Sequence, residues 1–264
     1  MEQRTVTAAA IQFNITLGEI DRNLAKAEAA LRRVAARGAQ LAVLPEMWSS
    51  GFAYKKLPEL AAQTPRVLEH VAALSGELGL TVVGSLPEPA GDRVYNTSFV
   101  VDRGQLAGSY RKLHLFSLMN EDEHIAGGGQ SAVVATSAGK LGLAICYDLR
   151  FPELFRKLAL DGAEIICLPG EWPTPRQLHW RTLLRARAIE NQCFVIAANC
   201  CGRQGKLDFF GMSLIIAPRG ELLAEADDFA TELVAACDFR EFADYRGQIT
   251  CFRDRRPDVY GTLP

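Results

Sequence analysis

The chain has 264 residues, of which 48% are hydrophobic, and a formal net charge of −2. That is enough apolar material for a substantial core, and so balanced a charge gives no electrostatic attraction for nucleic acid or an anionic membrane. No apolar stretch approaches the ~20 residues that a bilayer-spanning helix needs, and "MEQRTVTAAAIQF" lacks the cationic, apolar and small-residue order of a signal peptide, so a cytoplasmic protein is expected.

The first predicted strand covers 5–13. The segment "DRNLAKAEAALRRVAARG" follows, with Leu24, Ala27, Leu31 and Val34 at helical spacing and Gly38 suited to the position just past a helix end. A strand at 40–45 runs into "LPEMW". A helix at about 64–78 leads to strands at 80–85 and 94–101, then to the segments "YRKLHLF" and "LMNEDEHIAGGG". A strand at 141–146 ends at Cys146, directly before "YDLRFPEL", whose Pro152 fits the first turn of a third helix. A strand at 164–168 and a helix over 175–191 come next. Strands at 193–199, 210–217 and 231–238 complete the pattern. No linker or low-complexity tract divides it, so one domain over 1–264 is expected.

The two halves resemble each other. "RGAQLAVLPEMW" at 37–48 returns as "DGAEIICLPGEW" at 161–172, and "FVVDRGQL" at 99–106 returns as "LIIAPRGEL" at 214–222. The ordered matches indicate an ancient duplication. Two like α/β halves would bury their sheets against each other with helices outside, an α-β-β-α four-layer sandwich. Where the halves agree, as in Leu44-Pro45 and Leu168-Pro169, the residues are structural. Glu46 faces Gly170 in the other half, and a carboxylate just past a buried strand has no evident structural purpose.

Four reactive groups follow apolar strands or sit in the loops beyond them: Glu46, Lys112, Glu121 and Cys146. Such strand ends are where ligands gather in α/β folds. Each group alone has an ordinary explanation as a solvated charge or a core thiol; their combination points to chemistry. The other six cysteines, Cys167, Cys193, Cys200, Cys201, Cys237 and Cys251, lack zinc-site spacing, and several lie in runs such as "IICLP" where a small hydrophobe suffices.

Taken in order, "LPEMW", "YRKLHLF", Glu121 with Gly128, "CYDLRFPEL", "GEWPTPRQLHW" and "LLRARAIENQCFVIAANCCG" resemble the nitrilase, or carbon–nitrogen hydrolase, superfamily over nearly the whole chain, and most of all its omega-amidase branch. The resemblance implies the same sandwich fold and hydrolysis of the terminal carboxamide of a small 2-oxo dicarboxylic acid, with water as co-substrate and no cofactor or metal. It also implies a homodimer. By residue-for-residue match, Cys146 is the nucleophile, Glu46 the general base, Lys112 the catalytic lysine and Glu121 the second glutamate, with Glu123 as its competitor. The N–H of Tyr147 would help Lys112 stabilise an oxyanion. Trp172 and Arg185 are candidates for substrate binding, and Glu171 either touches substrate or faces solvent. Trp48, Phe116 and Trp180 either wall the pocket or belong to the core.

Other readings are open. Other amidase specificities of the superfamily, on deaminated glutathione or a methylthio-oxobutyramate amide, are alternatives, followed by a true nitrilase. A Cys-His hydrolase would need one of His70, His114, His124 or His179 in a role that none of their contexts suggests. A non-catalytic binding module would be expected to have lost Glu46, Lys112 or Cys146.

Overall fold

The computed structural model describes residues 4–261. Residues 1–3 and 262–264 of the expected domain, and with them the start of the segment read for a signal peptide, lie outside those described. In chain order the elements are β1 (Thr5–Gln12), α1 (Ile20–Ala36), β2 (Leu41–Val43), α2 (Leu57–Ala61), α3 (Thr64–Leu78), β3 (Thr81–Ala90), β4 (Arg93–Asp102), β5 (Gln105–Arg111), α4 (Glu121–His124), β6 (Val133–Thr136), β7 (Gly139–Leu143), α5 (Pro152–Leu160), β8 (Ile165–Gly170), α6 (Gln177–Asn191), β9 (Phe194–Asn199), β10 (Cys201–Gln204), β11 (Leu207–Phe210), β12 (Leu214–Ile216), β13 (Leu222–Glu225), β14 (Thr231–Asp238), α7 (Phe239–Gln248) and α8 (Pro257–Tyr260).

Two six-stranded sheets carry the fold, in the orders β14-β1-β2-β3-β4-β5 and β6-β7-β8-β9-β12-β13, with β10 and β11 pairing apart. Each sheet reads the same way from its edge. An antiparallel edge strand is followed by three parallel strands and then by two antiparallel ones. The sequence duplication is thus a duplication of topology, with β2 equivalent to β8 and the β4–β5 turn to the β12–β13 turn.

Strand periodicity separates the layers. Ala8, Ala10, Leu41, Val43, Val83 and Val100 cluster with Leu143, Ile166, Ile196 and Ile215 of the second sheet. Their sequence neighbours Ala9, Ile11, Ala42, Leu44, Val82 and Val101 instead cluster with Leu24, Leu31 and Val34 of α1 and Val67, Val71 and Leu74 of α3. Side chains alternate between faces at period two, so one face of the first sheet meets the other sheet and the other face meets helices. Phe155 and Leu158 of α5, with Trp180 and Leu184 of α6, pack against the second sheet. The result is the expected helix–sheet–sheet–helix sandwich.

Helix α1 stops as its sequence predicts. Ala39 N–H bonds the Val34 carbonyl at 3.1 Å and Gly38 N–H bonds Ala35 at 2.9 Å, with Gly38 at φ 81°, a Schellman ending that needs the left-handed conformation glycine adopts freely. Elsewhere the structure adds elements. The sequence reading lacked β5, β6, β10, β11, β13 and the helices α2, α4, α7 and α8. β5 is mostly exposed and has no clear alternation, and the β10–β11 hairpin is only four residues a side. The strand expected at 141–146 ends at Leu143, because the Ile145 N–H is taken by the Asp148 carboxylate at 2.8 Å instead of a neighbouring strand.

Candidate active site

Glu46 follows β2, Lys112 follows β5, Cys146 lies three residues past β7 and Glu171 follows β8. Glu46 is held at its backbone by Gly170, whose carbonyl accepts its N–H at 3.3 Å, while Met47 N–H bonds the Ser85 hydroxyl at 2.8 Å. The Glu46–Gly170 mismatch between the halves acquires a physical reason here. A Cβ at Gly170 would fall 2.7 Å from the Trp180 ring, so the second half fills with tryptophan the room that the first half leaves to a carboxylate.

Lys112 extends the line of β5, donating its N–H to Asn96 and accepting from Gly128. Its ammonium lies 2.8 Å from Glu46 Oε1 and 2.8 and 2.7 Å from the two oxygens of Glu121. Asn96 Nδ2 donates to Glu46 Oε1 at 2.8 Å, and Phe116 N–H donates to Glu121 Oε2 at 2.7 Å. Glu46, Lys112 and Glu121 are all buried to within 1% exposure. Groups so deep hold charge only when paired and hydrogen-bonded. The competitor Glu123 is exposed, so Glu121 is the carboxylate that meets Lys112.

Cys146 is half-buried and opens a 3₁₀ turn over Cys146–Arg150 with φ 47°. Asp148, fully buried, clasps that turn. It accepts from Tyr110 Oη and Ile145 N–H at 2.8 Å and from His114 N–H at 3.1 Å, with the His114 ring at 2.7 Å. Arg187 holds the far side through the Leu149 carbonyl at 2.8 and 3.2 Å and pairs with Glu190 at 2.9 Å. His114 is therefore engaged with Asp148 behind the cysteine.

Burial raises the Glu46 carboxyl above the ordinary range; the Lys112 ammonium opposes the rise and the Glu121 carboxylate adds to it. For Lys112, burial would favour the neutral amine, but Glu46 and Glu121 outweigh it and raise the ammonium well above its usual value. Burial likewise lifts the Cys146 thiol, helped by Glu46 and resisted by Lys112. Glu46 Oε2 is buried without a hydrogen-bond partner, and the Cys146 thiol is near enough to this carboxyl to perturb its ionisation. A carboxyl of raised basicity thus sits beside a protonated thiol, with an ammonium fixed alongside. That arrangement can move a proton from sulfur to oxygen and stabilise negative charge formed next to it.

A pocket of about 250 Å³ opens onto Cys146, lined by Phe116, Tyr147, Arg150, Glu171, Trp172, Pro173 and Arg176. Glu171 is buried here and does not face solvent. Thr174 N–H bonds the Asp208 carbonyl at 2.9 Å and Pro173 bridges to Phe209, so the small hairpin pins the loop carrying Glu171 and Trp172. Of the aromatics, Phe116 and Trp172 wall the pocket, whereas Trp48 and Trp180 are core. Arg185, expected to bind substrate, is exposed and bonds the Gly220 carbonyl at 3.0 Å. Its place on α6 turns it toward the β12–β13 turn and away from Cys146. The cationic groups at the pocket are instead Arg150, 4.8 Å over the Trp172 ring, and Arg176, 5.5 Å over Phe116. Sequence reasoning passed over both, and Asn96 too, although Arg150 lies within "CYDLRFPEL" and Asn96 is a polar residue inside an apolar strand.

Comparison with known proteins agrees with this architecture. A family model described as carbon-nitrogen hydrolase matches residues 7–246. The 2-oxoglutaramate amidase of Bacillus subtilis (strain 168) is 39% identical, covering 96% of this chain and 99% of its own. The chloroplastic omega-amidase of Arabidopsis thaliana is 33% identical, covering 94% of this chain and 74% of its own. Among solved structures, an amidase from Nesterenkonia sp. AN1, carrying the acetamide moiety of fluoroacetamide covalently at its active-site cysteine, superposes with a TM-score of 0.87 at 28% identity, covering 97% of this chain and 95% of that one.

Proposed function

The chain belongs to the carbon–nitrogen hydrolase family, and on that premise we propose that it hydrolyses the terminal carboxamide of a small 2-oxo acid, of the 2-oxoglutaramate or 2-oxosuccinamate kind, through a thioester on Cys146. The observation that carries the reading is the division of labour at Glu46. Its Oε1 is occupied by Lys112 and Asn96, while Oε2 has no hydrogen-bond partner beside the thiol.

In this reading Glu46 takes the Cys146 proton as sulfur attacks the amide carbon. For an ordinary thiol of pKa near 8.5, forming thiolate at pH 7 costs about 2 kcal/mol. The charge growing on the carbonyl oxygen is met by the Lys112 ammonium and the Tyr147 N–H, one of the first N–H groups of a turn that lack a partner within it; each such donor is worth about 3–4 kcal/mol. Glu46 then gives its proton to the nitrogen, the C–N bond breaks and ammonia leaves. Water next loses a proton to Glu46 and adds to the thioester. The C–S bond breaks, the acid departs and the proton returns to sulfur. Glu121, sharing Lys112 with Glu46, keeps the ammonium in register through both steps.

Arg150 and Arg176 at the pocket are suited to the carboxylate that a 2-oxo acid amide carries and a simple amide lacks. The names of the Bacillus and Arabidopsis relatives support the same substrate class. A cytoplasmic homodimer is the expected working form, the location resting on the sequence pattern of the N-terminal segment and the homodimer on the family resemblance. The deciding experiment is an ammonia-release assay over 2-oxo acid amides, simple amides and nitriles. The 2-oxo acid amides should exceed simple amides in kcat/KM by on the order of 100-fold or more. Equal rates on the two amide classes would set the assignment aside.

A further inference from the structure

Glu171 has no part in the chemistry above, yet it shares the pocket with the reacting sulfur of Cys146. The side chain lines the pocket, is 4% exposed, and its Oε2 is buried with no hydrogen-bond partner. The neighbouring Trp172 Nε1 is likewise a buried donor without a partner in the same pocket. Buried polar atoms are nearly always satisfied, and exceptions at a site call for a ligand that satisfies them. An indole N–H is a donor and nothing else, so the missing partner on that side is an acceptor.

The charge count fixes the form of Glu171. Lys112 is paired with Glu46 and Glu121, and among the described residues no cation pairs with Glu171. A third ionised carboxylate beside Glu46, without a counter-charge and away from water, is disfavoured by burial and by like-charge repulsion, and both raise this carboxyl well above its usual range. Gln204 only partly offsets that rise, and the proton is assigned to Oε2, the buried oxygen without a partner.

We propose that Glu171 acts as an un-ionised carboxylic acid whose Oε2–H donates a hydrogen bond to the 2-oxo oxygen of the substrate, so that Glu171 selects 2-oxo acid amides from amides lacking that oxygen. Trp172 Nε1 supplies a second donor to the same oxygen-rich end. The inference rests on the 2-oxo acid reading of the pocket and adds a residue that discriminates within it.

The test compares two substrates of equal length, a 2-oxo acid amide and its analogue with a methylene in place of the keto carbon, across neutral to alkaline pH. The titratable and charged groups around Glu171 are Tyr54, Glu46, Glu121, Lys112, Cys146 and Cys200, with Tyr147, Arg150 and Arg176 of the same pocket. They act on both substrates alike, so the ratio of the two kcat/KM values isolates Glu171. Glu171→Leu should lower that ratio by about tenfold or more through loss of the 2-oxo substrate alone. Glu171→Gln keeps a donor and should keep the ratio, now independent of pH, whereas the wild-type ratio falls as pH rises and the acid ionises. If Glu171→Leu does not fold, the Gln variant decides the matter by this pH comparison. Equal loss on both substrates, or a ratio that collapses in Glu171→Gln, overturns the proposal while leaving the amidase reading intact. A wild-type enzyme inactive on every 2-oxo amide overturns both.

Discussion

Cys146 reaches the pocket because its backbone takes φ 47°, a left-handed conformation that costs a non-glycine residue energy and recurs at functional sites. In the proposed mechanism the thiol depends on the Glu46 carboxyl oxygen left without a partner. Cys146→Ala and Glu46→Gln should therefore each lower turnover by on the order of 10⁴-fold or more while leaving the fold in place, since the glutamine still accepts from Lys112 and Asn96. Single-turnover ammonia release and a thermal melt check both halves of this; a folded Cys146→Ala protein with wild-type turnover would rule out the covalent route. At this scale the sequence was informative wherever a motif surrounds the residue. Glu46, Lys112, Glu121 and Cys146 could all be named in advance, and Glu121 differs from Glu123 only in which carboxylate the short α4 turns inward to the ammonium. Arg185 shows the opposite case. The string "RARAIEN" carries two arginines two residues apart, and which helix face each occupies depends on what α6 packs against. Arg187 turns in to the cysteine loop and Arg185 turns out to Gly220.

The 3₁₀ turn over Cys146–Arg150 is an element with few internal hydrogen bonds, so its shape is imposed from outside. Asp148 gathers donors from β5, from the segment after it and from Ile145 just before the turn, and Arg187 of α6 ties down the Leu149 carbonyl. Asp148→Asn keeps the shape but turns an N–H₂ toward one set of donors. It should destabilise the protein by about 2–4 kcal/mol, the cost of leaving buried polar groups unsatisfied, and lower kcat by at least about tenfold with little change in KM. Urea denaturation and the rate of Cys146 alkylation read the two effects separately, and an unchanged alkylation rate would show that the turn does not need the clasp. The sequence announced this element only as a cysteine between a strand and a helix-starting proline. It predicted three residues too much strand, because Ala144 and Ile145 are as apolar as the strand before them and the interruption comes from a side chain three residues on.

Across the whole molecule, burying so many carboxyls against one ammonium makes stability depend on pH. Glu46 and Glu171 both have folded-state values above the ordinary 4.5, so the folded state binds protons more tightly than the unfolded chain. That contribution is fully present below about pH 4.5 and is lost as pH rises through the folded-state values. The loss is at most about 1.4 kcal/mol per pH unit for each group. Denaturation midpoints should therefore decline from weakly acid toward neutral and alkaline pH. Glu171→Gln, whose amide does not titrate, should decline less steeply and gain on the wild type as pH increases. Parallel curves would show that Glu171 is ionised in the folded protein.

By itself the sequence determined the layered architecture, through strand periodicity, helix endings and a repeated half, and it singled out candidate reactive residues that the structure brings together, because a break in a repeat and a motif are both local patterns. Which residues complete the pocket was decided only by tertiary structure. Arg150, Arg176 and Asn96 join the site, Arg185 leaves it, and Glu171 becomes a buried acid because loops distant in the chain meet where the sheets end. Burial, and the pairing that one ammonium can offer three carboxyls, exist only once those loops are side by side.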